Sequence, residues 1–166
     1  MRRRNLAGQL MLLAACAVAA GHLDAVALIY LQRLADLPSR AAAPSAAAEG
    51  DGSAAVAVVS MPGWAVPVEE TRAAAGVIVV VVAALLAGRN LVEKLGGGLY
   101  VLGLRQVTTY AAAFAMVGWP RQLADPDWTL WLPRADLVPV WIPLSVAAGL
   151  VAVGAALLVQ VDRYNR

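Results

Sequence analysis

The sequence predicts an all-α membrane protein, a bundle of four transmembrane helices with both termini in the cytoplasm. The first observation is composition: 61% of the 166 residues are hydrophobic and 14% are charged, whereas soluble domains average about 45–50% apolar and about 25% charged residues. The second is that the apolar residues form long runs, with a mean hydropathy of +0.69. The third is that Lys and Arg gather at one end of these runs. The length is enough for one domain.

Four stretches are long enough to cross a bilayer, whose core of about 30 Å needs about 20 apolar residues in a helix. They lie at about 6–31, 70–87, 95–119 and 138–161. The second contains the run VIVVVV, and β-branched residues favour strands in water. In lipid each backbone polar group must be bonded within its own segment, so we predict a helix here too.

The first stretch, LAGQLMLLAACAVAAGHLDAVALIYL, has two interpretations. Three arginines at positions 2–4 followed by an apolar run are typical of a secretory signal. Leu13-Ala14-Ala15-Cys16 also fits the pattern at which bacterial lipoproteins are cleaved and lipidated on cysteine. The apolar run nevertheless continues past Cys16 to Leu31. We therefore predict an uncleaved transmembrane helix, with a lipoprotein lipidated at Cys16 as the alternative.

The segments between the helices differ in character. Residues 33–66 are rich in Ala, Pro, Gly and Ser and have little to bury, which predicts a flexible outer linker. Gly88-Arg89-Asn90 is so short that the second and third helices are predicted to form an antiparallel hairpin. Residues 120–137 combine Trp with Pro and Asp and are predicted to lie along the outer membrane surface.

Charge at the ends of the stretches predicts the orientation. The end of the bundle that holds both termini carries only two acidic residues, Glu93 and Asp162. Its basic residues are Arg2, Arg3, Arg4, Arg89, Lys94, Arg163 and Arg166. An excess of Lys and Arg near short loops marks the cytoplasmic side. Five tryptophans fall at the opposite interface, where Trp is enriched: Trp64, Trp119, Trp128, Trp131 and Trp141. Both termini are therefore predicted to be cytoplasmic.

Ionisable residues inside the stretches form the candidate polar site His22, Asp24, Glu70 and Arg105. An arginine near the middle of a span costs about 2.5–3.5 kcal/mol on insertion scales, and Asp24 is the carboxylate at membrane depth that can pair with Arg105. The site is either a hydrated outer-leaflet pocket, which relays protons or binds an ion or headgroup, or an interhelical ion pair that holds the bundle in register. Because His22 and Asp24 are two positions apart, they face nearly opposite directions on a regular helix. Both line one pocket only if the helix loosens at Gly21.

Small residues on the third and on the fourth stretch predict that each of these helices packs closely against a neighbour. Gly96 and Gly103 are one heptad apart, and Ala148, Ala152 and Ala156 repeat every fourth position. Both patterns let helices approach closely.

Two helix starts are also predicted from charge. Glu69 and Glu70 are interpreted as the acidic first turn of the second helix, where negative charge meets the positive end of the helix dipole. Glu93 and Lys94, at the start of the third helix, are predicted to face water.

Several of these residues together resemble an uncharacterised family of small bacterial four-helix membrane proteins. The resemblance is carried by His22-Leu23-Asp24-Ala25-Val26, Tyr30-Leu31, Glu70-Thr71, Ala87-Gly88-Arg89, Gly118-Trp119-Pro120 and Leu130-Trp131-Leu132-Pro133. It implies the four-helix topology, a bacterial origin, and polar residues at the positions of His22, Asp24 and Glu70. Members of the family tend to carry Trp-Asp where this chain has Arg105-Gln106, which favours a packing or partner role here.

No catalytic constellation accompanies the candidate site in the sequence. There is no G-x-S-x-G or Walker motif, and one Cys with one His excludes a Cys/His zinc site within one chain. We therefore predict no enzyme activity and no cofactor or metal, and the small net charge of +2 gives no reason to expect nucleic acid. The expected partners are the lipid bilayer and other membrane subunits or further copies of the chain. The predicted function is a non-catalytic accessory or scaffold subunit in a bacterial inner membrane; the alternative is an ion- or proton-handling membrane protein.

Overall fold

The computed structural model describes residues 6–41, 65–127 and 138–164. These ranges contain helices α1 (Leu6–Ala41), α2 (Ala65–Ala87), α3 (Leu91–Val117) and α4 (Trp141–Tyr164). Two-residue strands β1 (Pro126–Asp127) and β2 (Val138–Pro139) pair antiparallel between α3 and α4. The described part of the chain is therefore almost entirely helical, which confirms the all-α part of the predicted fold class.

Three of the helices are long and apolar enough to cross a membrane. The qualifying segments are Leu6–Leu31 of α1, Glu70–Ala87 of α2 and Trp141–Tyr164 of α4. Less than a third of each segment is buried inside the bundle, so most of its apolar surface faces outward. This is the arrangement expected when lipid replaces water as the solvent of the bundle surface.

Helix α1 is longer than the predicted first span, and the predicted linker is correspondingly shorter. The helix continues past Leu31 to Ala41, and α2 begins at Ala65. Residues such as Gln, Arg, Leu and Ala after position 31 are good helix formers, so the helix does not end where the apolar run ends. The flexible linker that we predicted for residues 33–66 is wrong at both ends, and its middle, residues 42–64, lies outside the described residues.

The turn between α2 and α3 is a hairpin with a built helix cap, as its short length predicted. Asn90 Oδ1 accepts a hydrogen bond of 2.7 Å from the backbone N–H of Glu93, and Glu93 Oε2 accepts one of 2.8 Å from the backbone N–H of Arg89. These bonds satisfy N–H groups that a helix start leaves without intrahelical partners. Glu93 and Lys94, which were predicted to face water, are both half-exposed, and Glu93 in addition caps the turn.

Helix α3 is the central element because it packs against α1, α2 and α4. Its contact with α4 is made by glycines: a Cβ on Gly103 would lie 2.9 Å from the Val151 backbone nitrogen, and one on Gly96 would lie 3.1 Å from the Gly154 carbonyl oxygen. The predicted close approach at Gly96 and Gly103 is confirmed.

The alanine repeat of α4 does not pack within the bundle. Ala148, Ala152 and Ala156, which were predicted to let helices approach closely, are exposed. The buried positions of α4 are Pro143, Ala147, Gly154 and Leu158. Ala148 follows Ala147 directly, and adjacent positions on a helix are rotated by about 100°, so the alanines lie beside the buried stripe and not on it.

The described part of the segment between α3 and α4 folds back onto the start of α4. Gly118 ends α3 in the left-handed conformation, with φ of 70°, which glycine adopts without steric cost. Asp125 Oδ2 then accepts the backbone N–H groups of Arg121 and Gln122 at 2.7 and 3.0 Å. The predicted membrane-surface loop falls mostly on residues 128–137, which lie outside the described residues.

Candidate functional site

The centre of the candidate site is Asp24 of α1, which is held between two arginines on different helices. Arg105 of α3 approaches Asp24 Oδ2 with both Nε and Nη2 at 2.5 Å. Arg72 of α2 donates from Nη1 to Asp24 Oδ1 at 3.0 Å. Each carboxylate oxygen thus serves a different arginine, and one carboxylate connects three helices.

Burial differs between the members of this ion-pair cluster, which we define as Asp24, Arg72 and Arg105. The side chain of Arg105 is 6% exposed, that of Asp24 is 12% exposed and that of Arg72 is 20% exposed. Side-chain exposure therefore increases across the cluster, from Arg105 inside the bundle to Arg72 near its surface. Isolated charges are costly in such surroundings unless paired, and the pairing compensates the two most buried members.

Two glycines make room for the cluster. A Cβ on Gly76 of α2 would lie 2.6 Å from Arg105 Cζ, and a Cβ on Gly21 of α1 would lie 2.8 Å from Thr108 Cβ of α3. Real Cβ atoms do not approach so closely, so a larger residue at either position would force a shift. Gly76 allows α2 to pack on the guanidinium, and Gly21 brings α1 close enough for Asp24 to reach Arg105.

The structure separates the predicted four-residue site into two bonded and two outlying residues. Asp24 and Arg105 form the expected ion pair, whereas His22 and Glu70 are exposed and are not partners of Asp24. Residues two positions apart point about 200° apart on a helix, and α1 is continuous through Gly21. The loosening that would bring His22 and Asp24 to one side is absent from α1.

Arg72 is the member of the cluster that sequence reasoning missed. With the second helix predicted to begin at about residue 70, Arg72 falls in its first turn, at the outer end of the span. The helix begins at Ala65 and has no acidic residue in its first turn, so the predicted acidic start is wrong and Arg72 lies two turns inside. One signal was available: Arg72 and Gly76 are four residues apart and share a helix face.

The threonines beside Arg105 bond within their own helix. Thr108 Oγ1 donates to the Leu104 carbonyl at 2.8 Å, and Thr109 Oγ1 donates to the Arg105 carbonyl at 3.0 Å. This is the usual way in which a helix satisfies a hydroxyl away from water. Among the residues that the structure describes, no group of three or more His, Cys, Asp or Glu side chains is placed to hold a metal ion.

Cys16 lies in the first third of α1 and is exposed on its surface. One face of the part of α1 that precedes it packs into the bundle. Leu13 belongs to the hydrophobic core with Ala17, Ala83 and Val101, and the Gln9 side chain donates to the Ala87 carbonyl. Cleavage before Cys16 would remove these contacts.

Comparison with known proteins adds no relative to these observations. No family profile, no curated protein and no solved structure matches the chain. The resemblance to small bacterial four-helix proteins therefore stays a prediction from the residue pattern.

Proposed function

We propose that the chain is a four-pass protein of a bacterial inner membrane, with both termini in the cytoplasm, and a non-catalytic accessory or scaffold subunit of a larger membrane complex. The orientation rests on the accumulation of Lys and Arg near the termini and in the turn between α2 and α3. The subunit role rests on what α1 presents at its surface.

The fourth span in this proposal is α3, which carries too much polarity to qualify by hydropathy. Three features support it: α3 packs against all three apolar helices, its 27 residues extend about 40 Å at 1.5 Å per residue, and the charge of Arg105 is paired with Asp24. A helix surrounded by apolar neighbours can carry buried polar groups that lipid would not accept.

The observation that carries the subunit role is the position of His22. This side chain is exposed on the lateral surface of α1, inside the apolar segment Leu6–Leu31. It lies nine positions before Leu31, which corresponds to about 13.5 Å along a helix. In the described part of the chain its imidazole has no side-chain hydrogen bond.

A polar group at that depth loses its hydrogen bonds if it faces hydrocarbon, which is costly. A second protein at the α1 surface would supply the missing partner, and the surface around His22 is otherwise apolar or small. The neighbours on this side of α1 are Leu12, Ala15, Ala19 and Leu23, all of them exposed. We therefore place the subunit contact on this face of α1, with either another protein or a second copy of the chain.

The test is the mass of the protein extracted from its own membrane in gentle detergent, for the native chain and for His22→Leu. We expect a species well above the 17.2 kDa of one chain, and a shift toward the single-chain mass in the variant. Ile78→Asn on α2, also an exposed position, is the matched control for altering surface polarity. A single-chain mass for the native protein would refute the proposal.

The alternative function, ion or proton handling, is supported by one observation. Asp24 and Arg72 are partly accessible, so the ion-pair cluster has a route to the surface of the bundle. Proteoliposomes report on this directly: we expect an ion or proton flux above that of empty liposomes, abolished in Asp24→Asn. His22→Ala would leave that flux unchanged, because His22 lies outside the cluster, and no flux above background would eliminate the alternative.

A further inference from the structure

We infer that the groove between the end of α3 and the start of α4 is a binding site for one glycerophospholipid, with an acyl chain in the groove and the phosphodiester at Arg121. This goes beyond the proposed subunit role, because it concerns a different end of the bundle and a small ligand. The groove has a volume of about 390 Å³, and ligand sites in proteins span about 300–1,000 Å³.

The groove wall is apolar over almost all of its area. Val107, Ala111 and Phe114 come from one face of α3; Val140 directly precedes α4, and Leu144 lies in its first turn. Phe114 and Ala111 are exposed along α3, so the wall is open from the side. An open apolar channel on a membrane protein suits a flexible hydrocarbon chain entering from the bilayer.

The floor of the groove is fixed by hydrogen bonds rather than by loose packing. The backbone N–H of Val140 donates to the Asp125 carbonyl at 3.0 Å, and that of Trp141 donates to the Leu123 carbonyl at 3.0 Å. These bonds tie the turn after α3 to the start of α4. A ligand therefore meets a preformed wall and does not have to order it, which lowers the cost of binding.

The polar end of the groove lies at the depth of lipid headgroups. The membrane-spanning segment of α4 begins at Trp141, an exposed tryptophan of the kind that marks the membrane–water interface. Arg121 and Gln122 line the groove next to this point. The Arg121 guanidinium has the planar pair of donors that binds phosphate oxygens, and the Gln122 amide adds a neutral donor.

Asp125 is the acidic side chain that bonds the turn containing Arg121, and it does so through backbone groups. Asp125 would oppose a phosphate by charge, but its Oδ2 accepts the backbone N–H groups of Arg121 and Gln122. The carboxylate thus shapes the turn, while the Arg121 side chain is exposed. A phosphodiester at the rim, with its acyl chain along α3, matches both the charge and the apolar wall.

The first experiment compares lipids on the purified, delipidated full chain by native mass spectrometry. The probes are phosphatidylglycerol and a diacylglycerol with the same acyl chains, so that only the phosphodiester headgroup differs. We expect one retained phosphatidylglycerol per chain and about tenfold weaker retention of diacylglycerol, as the loss of a charge-assisted hydrogen bond predicts. Equal retention of the two lipids would overturn the role of the phosphodiester.

Variants locate the site. Arg121→Gln should weaken retention of phosphatidylglycerol about tenfold, and Ala111→Trp should abolish it by filling the groove. The matched controls are Arg89→Gln, an exposed arginine at the other end of α3, and Ala152→Trp, an exposed alanine of α4. Retention in both groove variants equal to that of the native chain would refute the site.

A second measurement does not depend on the groove variants folding normally. A phosphatidylglycerol with a photoactivatable acyl chain, reconstituted with the native chain in liposomes, should crosslink to the α3 residues that line the groove. Unlabelled phosphatidylglycerol should suppress this crosslink, and inorganic phosphate should not, because phosphate alone has no chain to occupy the wall. Crosslinks spread evenly over α1, α2 and α4 would show ordinary solvation by lipid and would overturn the inference.

Discussion

Replacing Asp24 by Asn tests whether the ion-pair cluster holds the bundle together. The substitution keeps the shape of the side chain and removes its charge, so Arg105, with only 6% of its side chain exposed, loses the negative charge that its Nε and Nη2 contact. Breaking a buried pair by removing one partner costs about 3–5 kcal/mol, and an arginine in a span costs about 2.5–3.5 kcal/mol on insertion scales. We expect Asp24→Asn to lower the free energy of unfolding by about 3 kcal/mol.

The assay is reversible unfolding in mixed micelles of mild and denaturing detergent, followed by helix content. Arg105→Met, which keeps an apolar side chain of similar length, completes a double-substitution cycle with Asp24→Asn. Because each single change removes the same pair, the double variant should be more stable than the sum of the two losses by about 1–3 kcal/mol. Arg72→Met, at the more exposed end of the cluster, should cost less than Arg105→Met. A loss below about 1 kcal/mol for Asp24→Asn, or strict additivity, would refute the reasoning, since paired buried charges couple.

Three further predictions use the same unfolding measurement or the intact mass. Gly103→Ala should destabilise by about 2 kcal/mol, because its Cβ would collide with the backbone of α4; Gly149→Ala, where nothing lies within 4 Å of the new Cβ, should cause no loss. Asn90→Ala should cost about 1 kcal/mol because it removes the acceptor at the start of α3, whereas Asn90→Asp, which keeps an acceptor, should not. Mass spectrometry of the chain isolated from bacterial membranes should find the residues before Cys16 retained and no lipid on the thiol, because Leu13 lies in the core; a lipidated chain starting at Cys16 would contradict this.

The helices could be predicted from runs of apolar residues, and the Asp24–Arg105 ion pair from the depth of both residues in their predicted spans. Hydropathy located the apolar segments, and the paucity of carboxylates at membrane depth singled out Asp24 as the partner of Arg105. Sequence reasoning missed Arg72 because the start of α2 was inferred from acidic residues, whereas the helix begins at Ala65. It chose the wrong stripe of α4 because several small residues lie on that helix, and only the position of α3 decides which of them are buried.

Asp24 and His22, two positions apart on α1, have opposite surroundings. This difference explains why only His22 suggests a partner outside the chain. Asp24 faces α2 and α3, which supply two guanidinium groups, so its charge is compensated within the chain. His22 faces outward on the same turn of the helix, where hydrocarbon offers no hydrogen bond. The His22 side chain cannot face the interior together with Asp24 unless the helix breaks at Gly21, because residues two positions apart point about 200° apart on a regular helix. Among the described residues none bonds the His22 imidazole, which is the physical basis of the proposal that a second protein contacts the face of α1 that carries it.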